Sequence, residues 1–314
     1  MRYGMLLSGG VDSSTALAEL VRAGHEVTAY YLKVWLEDEL DYLGECPWED
    51  DLSYARRVCE RYGVTLHVVP LQLEYYERVV QYTLSELRVG RTPSPDIFCN
   101  QRIKFGAFYD YLSRTEKPDD VKIATGHYAR ILDRGDHVVL ARSPDGVKDQ
   151  TYFLSHLSQR QLQRIHFPIG PYQKHEIRRR AHEYDLPNKD RPDSRGICFL
   201  GKIRYDEFIR HYLGEQPGEI VELESGCVLG EHRGFWFYTI GQRTGLGLSG
   251  GPWYVVRKDT ERNTIMVSHS RSADRRSRSV FLVRELAWTW KPPEATEVLL
   301  KIRHGPQLVP ASIE

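Results

Sequence analysis

The chain has 314 residues, and its 43 Lys plus Arg residues equal its 43 Asp plus Glu residues, so the formal net charge is zero. That length suits two or three domains, and a nucleic-acid partner would have to be held by local cationic patches rather than by global charge. No apolar run approaches the ~18 residues of a membrane-spanning helix, and the first residues lack a signal-peptide pattern. We therefore expect a soluble, cytoplasmic protein that does not associate with membranes.

The first two hundred residues alternate apolar, strand-like runs with amphipathic helical patterns. Strands are predicted near residues 3–7, 27–32, 65–69 and 121–125, and helices over residues 50–62 and 75–89. This alternation predicts an α/β fold with a doubly wound parallel sheet, in which ligands bind beyond the carboxyl ends of the strands.

The pattern changes after residue 199. Short alternating runs with many glycines over residues 217–267 predict a small β-rich module, residues 269–278 read as an exposed linker, and final strands are expected at 280–290 and 297–303. We predict three domains, spanning residues 1–205, 206–270 and 271–314.

A glycine turn follows the first predicted strand. Residues 8–14 read Ser-Gly-Gly-Val-Asp-Ser-Ser and lead directly into a helical pattern. Gly9 and Gly10 let a phosphate group approach the main chain closely, and Asp12 and Ser13 cap the helix, whose dipole favours anions. A Walker A loop would require Gly-Lys-Ser/Thr, and this turn contains no lysine. The segment therefore predicts an ATP site in which the nucleotide is split between its α and β phosphates.

The chain has five cysteines, at positions 46, 59, 99, 198 and 227, and none forms a Cys-x-x-Cys pair. This usage fits a reducing compartment and argues against a zinc or iron–sulfur site. Cys59 shares a helical face with apolar residues and Cys227 lies in a strand-like run. Both are interpreted as small buried hydrophobic residues.

Two of the cysteines have sequence contexts that favour chemistry. Prolines and Asp96 predict a loop before Cys99, with a helix beginning after it, so this thiol is expected at a helix N-terminus near Arg102 with a lowered pKa. Cys198 lies between glycines and close to Arg195.

Eight motifs occur in the order found in one known family. They are Ser-Gly-Gly-Val-Asp-Ser-Ser (8–14), Gly-Arg-Thr-Pro (90–93), Phe-Cys-Asn (98–100), Ile-Lys-Phe-Gly (103–106), Thr-Gly-His-Tyr-Ala-Arg (125–130), Asp-Gln-Thr-Tyr-Phe-Leu (149–154), Gly-Ile-Cys-Phe (196–199) and Tyr-Thr-Ile-Gly-Gln-Arg (238–243). The chain thereby resembles the MnmA-type tRNA-specific 2-thiouridylases, of the N-type ATP pyrophosphatase (PP-loop) superfamily with its Rossmann-like, adenine nucleotide alpha hydrolase fold. The resemblance implies thiolation of the wobble uridine (U34) of tRNA, with ATP, Mg²⁺ and a persulfide sulfur donor.

The resemblance also implies roles for individual residues. Asp12 and both reactive cysteines would be catalytic, with Cys198 carrying the persulfide and Cys99 either freeing hydrosulfide from it or resolving the product as a Cys99–Cys198 disulfide. The implied nucleotide contacts are Leu6, Leu7, Ser8, Gly9, Gly10, Val11, Asp12, Ser13, Leu32 and Gly126. The implied tRNA contacts are Ser94, Pro95, Asp96, His127, Lys148, Asp149, Gln150, Arg303 and His304.

Three further expectations come from the sequence. The arginines at 178–180 are interpreted as a solvated helix face rather than a phosphate site. The chain stops inside the family's C-terminal β-barrel, so we expect either a shortened barrel or one completed by a partner chain. Two other functions stay open: a different PP-loop synthetase, which would leave Cys99 and Cys198 unexplained, and an inactive tRNA-binding relic.

Overall fold

A computed structural model describes residues 1–34, 48–115, 121–193, 204–269, 280–305 and 307–314. The strands are β1 (Arg2–Leu6), β2 (Glu26–Lys33), β3 (Leu66–Pro70), β4 (Val121–Ala124), β5 (Ala129–Asp133), β6 (Val138–Arg142), β7 (Ile165–His166), β8 (Gly218–Glu222), β9 (Val228–His232), β10 (Tyr254–Asp259), β11 (Thr264–Ser268), β12 (Glu297–Leu300) and β13 (Val309–Ser312). The α-helices are α1 (Val11–Arg22), α2 (Trp48–Tyr62), α3 (Gln72–Tyr75), α4 (Gln81–Arg88), α5 (Pro95–Phe98), α6 (Phe108–Thr115), α7 (Gln159–Leu162), α8 (Lys174–Glu183) and α9 (Tyr205–Leu213).

The chain divides into two compact units. One unit contains Met1–Val79, Asp96–Lys202 and Ala287–Glu314, and the other contains Val80–Pro95 and Ile203–Leu286. This division follows contacts in space, so it does not test the three predicted domain boundaries, which stay predictions.

The first unit is built on a five-stranded parallel sheet with strand order β3-β2-β1-β4-β7. Met5 on β1 pairs with Ala29 on β2 and with Ala124 on β4. The predicted doubly wound sheet and all four predicted strands are confirmed. The strand order reverses between β1 and β4, and the crevice beyond the carboxyl ends at such a point is where open α/β sheets bind ligands.

Helices cover both faces of this sheet, which explains why its strands are apolar on both sides. Met5 and Leu7 pack in a buried cluster with Leu17 of α1. On the other face, Gly4 lies so close to Leu112 of α6 that a Cβ at Gly4 would be 3.2 Å from the leucine methyl. The core of the first unit therefore sits directly beneath the end of β1.

The predicted helix at residues 50–62 corresponds to α2, which buries Leu52, Ala55, Val58 and Cys59 along one face. These positions recur at the spacing of a helix that packs on a sheet. Burial raises the pKa of the Cys59 thiol to about 11. The interpretation of Cys59 as a core residue is confirmed.

Two features of the first unit differ from the prediction. The expected helix at residues 75–89 is divided into α3, a π-helical segment (Tyr76–Val80) and α4. Directly after β4, strands β5 and β6 form an antiparallel hairpin that the sequence analysis did not anticipate.

The second unit contains the predicted β-rich module, a four-stranded sheet of order β10-β11-β8-β9. Its core is formed by Ile220, Val255, Ile265 and Val267, all fully buried. The prediction for Cys227 is wrong, because this thiol is exposed. It follows a turn at Gly226, whose φ is +72°, and strand β9 begins only at the next residue.

Near the C-terminus, β12 and β13 pair with each other in antiparallel fashion. The predicted strand at 297–303 is confirmed in part, since β12 ends at Leu300. The predicted strand at 280–290 is wrong: these residues form no strand, and Val280 and Leu282 are 79% exposed. Residues 270–278 of the predicted linker lie outside the described residues. No helix in the described part of the chain is long and apolar enough to span a membrane.

Candidate active site

The turn between β1 and α1 has the backbone geometry of a phosphate loop. Gly9 has φ +74°, and a Cβ there would be 2.2 Å from the Asp51 carbonyl oxygen, so only glycine fits. The Ser13 hydroxyl donates to the Gly10 carbonyl at 3.1 Å and accepts from the Ser8 main-chain N–H at 3.3 Å. The first N–H groups of α1 have no partner within the helix and are oriented to receive an anion.

Gly126, directly beyond β4, packs against the start of α1. A Cβ at Gly126 would be 2.7 Å from the Ser13 nitrogen and 2.9 Å from the Asp12 carbonyl carbon. Main-chain atoms cannot move aside as flexible side-chain ends can. Gly126 therefore fixes the distance between the two strand ends that flank the crevice.

Replacement of Gly126 by alanine is expected to displace the phosphate loop and to raise the KM for ATP at least about fivefold, since overpacking of this kind costs about 1–3 kcal/mol. The measurement is the ATP dependence of pyrophosphate release. Gly146→Ala is the matched control, because nothing lies within 4 Å of a Cβ at that position. An unchanged KM in Gly126→Ala would show that the contact does not position the loop.

Asp12 is held in place by residues remote in sequence. Lys174 Nζ donates to both Asp12 carboxylate oxygens, at 2.7 and 2.9 Å, and the Tyr128 hydroxyl donates to Oδ1 at 2.8 Å. Burial and the neighbouring Asp12 carboxylate raise the pKa of Tyr128 far above its usual range, so Tyr128 remains a donor. The Asp12 side chain is thus fixed at the mouth of the loop.

Residues 188–193 are also bound to the loop. Asn188 Nδ2 donates to the Gly9 carbonyl at 2.7 Å and to Ser14 Oγ at 2.8 Å. Arg191 donates to the same carbonyl at 3.1 Å and forms an ion pair with Asp51. Sequence reasoning did not identify Asn188 or Arg191, since Asn188 and Gly9 are 179 positions apart and no local pattern connects them.

Three cations converge on the Asp193 carboxylate. Lys148 Nζ lies 2.8 Å from Oδ2, Lys174 Nζ lies 2.7 Å from Oδ1, and Arg178 also donates to Oδ1. Partial burial opposes ionisation, but the hydrogen bonds from Lys148 and Lys174 hold the pKa of Asp193 well below its usual range. Lys174 bridges Asp12 and Asp193.

Asp12, Lys148 and Asp193 border a cavity of about 490 Å³ at the carboxyl end of the sheet, whereas Lys174 and Arg178 contact its wall from outside the lining. Such a volume suits a small-molecule ligand. The structure brings most predicted site residues to its wall: Leu6, Leu7, Ser8, Gly10, Val11, Asp12, Ser13, Leu32, Asp96, Cys99, Gly126, His127, Lys148 and Gln150. Among the described residues, the predicted site residues that are not part of this wall are Gly9, Ser94, Pro95, Asp149, Arg303 and His304.

Cys99 lies in the cavity wall and is only 4% exposed. Its predicted position at a helix start is wrong, because α5 begins at Pro95 and continues into a π-helical segment (Cys99–Ala107). Proline has the φ of a first helical residue and its missing N–H is not needed there, so Pro95 starts the helix. Cys198 lies outside the described residues.

The other predicted tRNA contacts have varied surroundings. His127 Nδ1 shares a hydrogen bond of 2.7 Å with Thr125 Oγ1, and burial together with Lys104 lowers the pKa of its imidazole well below the usual value. The Asp149 carboxylate is 1% exposed and bonds to protein groups, which is unfavourable for a direct RNA contact. The His304 ring lies 4.6 Å from the ring of Phe153, a residue of the cavity wall.

The interpretation of residues 178–180 as a solvated face holds only for Arg179, which is 66% exposed. Arg178 contacts Asp193, and Arg180 pairs with Glu19 at 2.7 Å and stacks on Tyr172. Two of the three arginines therefore face the protein, and one of them belongs to the site.

A parallel sheet with its reversal point at β1, and a lysine-free phosphate loop at that point, define a nucleotide-binding protein of the PP-loop class. Sequence profiles described as "tRNA methyl transferase HUP domain" and "tRNA methyl transferase PRC-barrel domain" match residues 1–202 and 206–269. The tRNA-specific 2-thiouridylase MnmA of Parabacteroides distasonis is 44% identical over 312 residues, covering 98% of this chain and 86% of that protein. The protein of the same name from Porphyromonas gingivalis is 44% identical over 316 residues, with the same coverage. The chain belongs to this MnmA family.

Solved structures give more remote matches. The NMN synthetase from Francisella tularensis is 17% identical with a TM-score of 0.39, and the match covers 65% of this chain and 71% of that one. The U34-tRNA thiolase NcsA from Methanococcus maripaludis is 16% identical with a TM-score of 0.37, over 63% and 61% of the two chains. At these scores the similarity supports no functional argument.

Proposed function

We propose that this protein is an ATP-dependent tRNA-uridine 2-sulfurtransferase that thiolates the wobble uridine of tRNA. The observation that carries the proposal is that one cavity brings the lysine-free phosphate loop and the Cys99 thiol together. An adenylating loop and a nucleophilic sulfur in a single cavity suit replacement of a carbonyl oxygen by sulfur. The named relatives point to the same reaction.

The first step activates the base. The loop residues Ser8 to Ser13 bind ATP through main-chain N–H groups and hydroxyls, and uracil O2 attacks the α-phosphorus while pyrophosphate leaves. The adenylated oxygen is then a leaving group, which the urea-like carbonyl oxygen is not. Asp12, fixed by Lys174 and Tyr128, holds the loop in shape for this transfer.

The loop fits a nucleotide phosphate group, since Ser8, Gly10 and Ser13 line the cavity at the N-terminus of α1, where anions are favoured. Within the described residues no cluster of three or more His, Cys, Asp or Glu side chains is arranged to hold a metal ion. Mg²⁺ at nucleotide sites uses phosphate oxygens and one or two carboxylates. We therefore assign Asp12 as the carboxylate that would hold Mg²⁺, which when bound neutralises charge on the departing pyrophosphate.

The second step transfers sulfur. Cys198 carries a persulfide whose terminal sulfur replaces the adenylated oxygen at C2, with AMP as the leaving group. In one route the terminal sulfur attacks C2 directly, and Cys99 then attacks Cys198 Sγ to release the product. In the other route Cys99 attacks first and frees hydrosulfide, which attacks C2. Both routes end in a Cys99–Cys198 disulfide that an external dithiol must reduce.

tRNA would be held locally, because the net charge is zero. The proposed contacts outside the cavity are Ser94, Pro95, Arg303 and His304, and those in its wall are Asp96, His127, Lys148 and Gln150. The buried carboxylate of Asp149 would position neighbouring protein groups through hydrogen bonds and would not contact tRNA itself. A cytoplasmic location and a cysteine desulfurase or sulfur-relay protein as donor complete the proposal.

The test is mass spectrometry of wobble-position nucleosides after incubation of the protein with tRNA, ATP and a sulfide or persulfide source. We expect 2-thiouridine with ATP and none with α,β-methylene-ATP, whose α–β link cannot be split. A parallel reaction contains S-adenosylmethionine in place of ATP and sulfur, because the matching profiles are described as methyl transferases. A methylated nucleoside there, with no 2-thiouridine in the first reaction, would overturn the proposal.

A further inference from the structure

The Asp193 carboxylate contacts three positively charged side chains at the site. Lys148, Lys174 and Arg178, here called the cation triad, all contact it, and the other acidic partner of the triad beside the cavity is Asp12. Asp145 is also nearby, and its carboxylate accepts hydrogen bonds from the main-chain N–H groups of Lys148 and Lys174. The triad lies next to a loop that is itself built for anions.

Lys148 of the triad lies in the cavity wall, and Lys174 and Arg178 contact Asp12 and Asp193, which belong to that wall. Lys174 Nζ contacts the Asp12 carboxylate at 2.7 Å, and Asp12 is the second residue of α1. Lys148, Asp12 and Asp193 lie in the wall of the same cavity. The side chains of the triad are 15–39% exposed, so their charges are only partly screened by water.

We propose that the cation triad binds the β and γ phosphates of ATP, and that Asp193 occupies their place in the nucleotide-free protein. This inference rests on the proposed function. Asp193 brings one negative charge to the triad, whereas the two terminal phosphates bring about three, so the nucleotide displaces the carboxylate.

The assignment also explains how a phosphate loop without lysine can stabilise the departing pyrophosphate. When the α–β bond breaks, negative charge develops on the departing pyrophosphate. Fixed cations aimed at that charge stabilise the transition state. In this protein Lys148 and two residues of α8 supply them, whereas a Walker A loop carries its own lysine.

A phosphate of the tRNA backbone is a second source of the same chemistry, and Lys148 is one of the tRNA contacts proposed above; the present inference reassigns this lysine to the nucleotide. The contact between Lys174 and Asp12 favours the nucleotide, because it connects the triad to the start of α1. Measuring the affinities for the nucleotide and for tRNA on the same variants distinguishes these two phosphate sources.

The experiment is calorimetric titration of the full-length protein with α,β-methylene-ATP and, separately, with AMP, in the presence of Mg²⁺. Lys148→Met and Lys174→Met are expected to weaken triphosphate binding at least tenfold and to change AMP binding less than twofold, since AMP lacks the β and γ phosphates. Asp193→Asn removes the competing carboxylate and is expected to strengthen triphosphate binding at least threefold. A gain of affinity cannot result from misfolding.

Matched controls are Arg179→Gln, the exposed neighbour of Arg178 on α8, and Lys189→Met, a lysine paired with Asp185 outside the cavity wall. Both should bind each nucleotide as the parent protein does. Equal triphosphate affinity in the parent and the Lys148 and Lys174 variants, or weaker binding in Asp193→Asn, would overturn the inference. A loss of tRNA affinity in the Lys148 and Lys174 variants, without a loss of triphosphate affinity, would also overturn the inference. If the parent itself binds no triphosphate, the proposed function fails as well.

Discussion

Replacement of Asp12 by alanine is expected to reduce ATP-dependent activation of uridine at least about 100-fold while the protein stays folded. Removal of one fixed electrostatic group at a reacting centre typically costs 10²–10³ in rate. The loss of the carboxylate leaves Lys174 paired with Asp193, and the Tyr128 hydroxyl becomes accessible to water from the cavity, so the fold retains its main contacts. The measurement is pyrophosphate release in the presence of tRNA.

Asp136→Ala is the matched control, because the Asp136 side chain is 72% exposed and pairs with its sequence neighbour His137, outside the cavity wall. Melting temperature should change little in either variant. Pyrophosphate release that continues at the parental rate in Asp12→Ala would remove this residue from the catalytic machinery.

Serine at either Cys99 or Cys198 is expected to abolish 2-thiouridine formation, because a hydroxyl neither carries sulfane sulfur nor attacks a persulfide. Cys198→Ser should still release pyrophosphate, since activation of O2 precedes sulfur transfer. Nucleoside mass spectrometry and a pyrophosphate assay on the same samples separate the two steps. Cys227→Ser is the control, because this thiol is exposed and lies in the other compact unit.

Mild oxidation provides an independent readout of the same pair. Peptide mapping should recover a Cys99–Cys198 disulfide and no comparable bridge to Cys59, whose thiol is buried and has a raised pKa. Full thiolation by both single serine variants would leave only the activation step of the proposal.

The elements that the sequence predicted correctly are those whose signal is local. The strands of the parallel sheet are continuous apolar runs, and the phosphate loop is a contiguous string of residues whose backbone conformation depends on Gly9. The start of α5 was misplaced because prolines are common in loops, whereas Pro95 occupies a first helical turn. Cys227 was misassigned because strand-like composition continues across a turn that only Gly226 marks.

The rest of the site depends on contacts between distant segments. Lys174 reaches Asp12 across 162 positions and Tyr128 reaches it across 116. Lys174 stands in no pattern that distinguishes it from an ordinary helix cation, and the motif at residues 125–130, which contains Tyr128, carries no local signal for a contact with Asp12. The sequence therefore supplied the candidate reactive groups, which stay predictions, and only the fold identified the side chains that contact Asp12.

The burial of Cys99 has a consequence for which nucleophile reacts. An adenylated uridine is susceptible to hydrolysis, and bulk water at about 55 M competes with any sulfur nucleophile. Cys99 is 4% exposed and lines the cavity that also contains the phosphate loop. In the proposed mechanism, the sulfur that Cys99 releases or resolves is therefore delivered next to the activated base, and this proximity offsets the higher concentration of water and limits the loss of ATP to hydrolysis of the activated uridine.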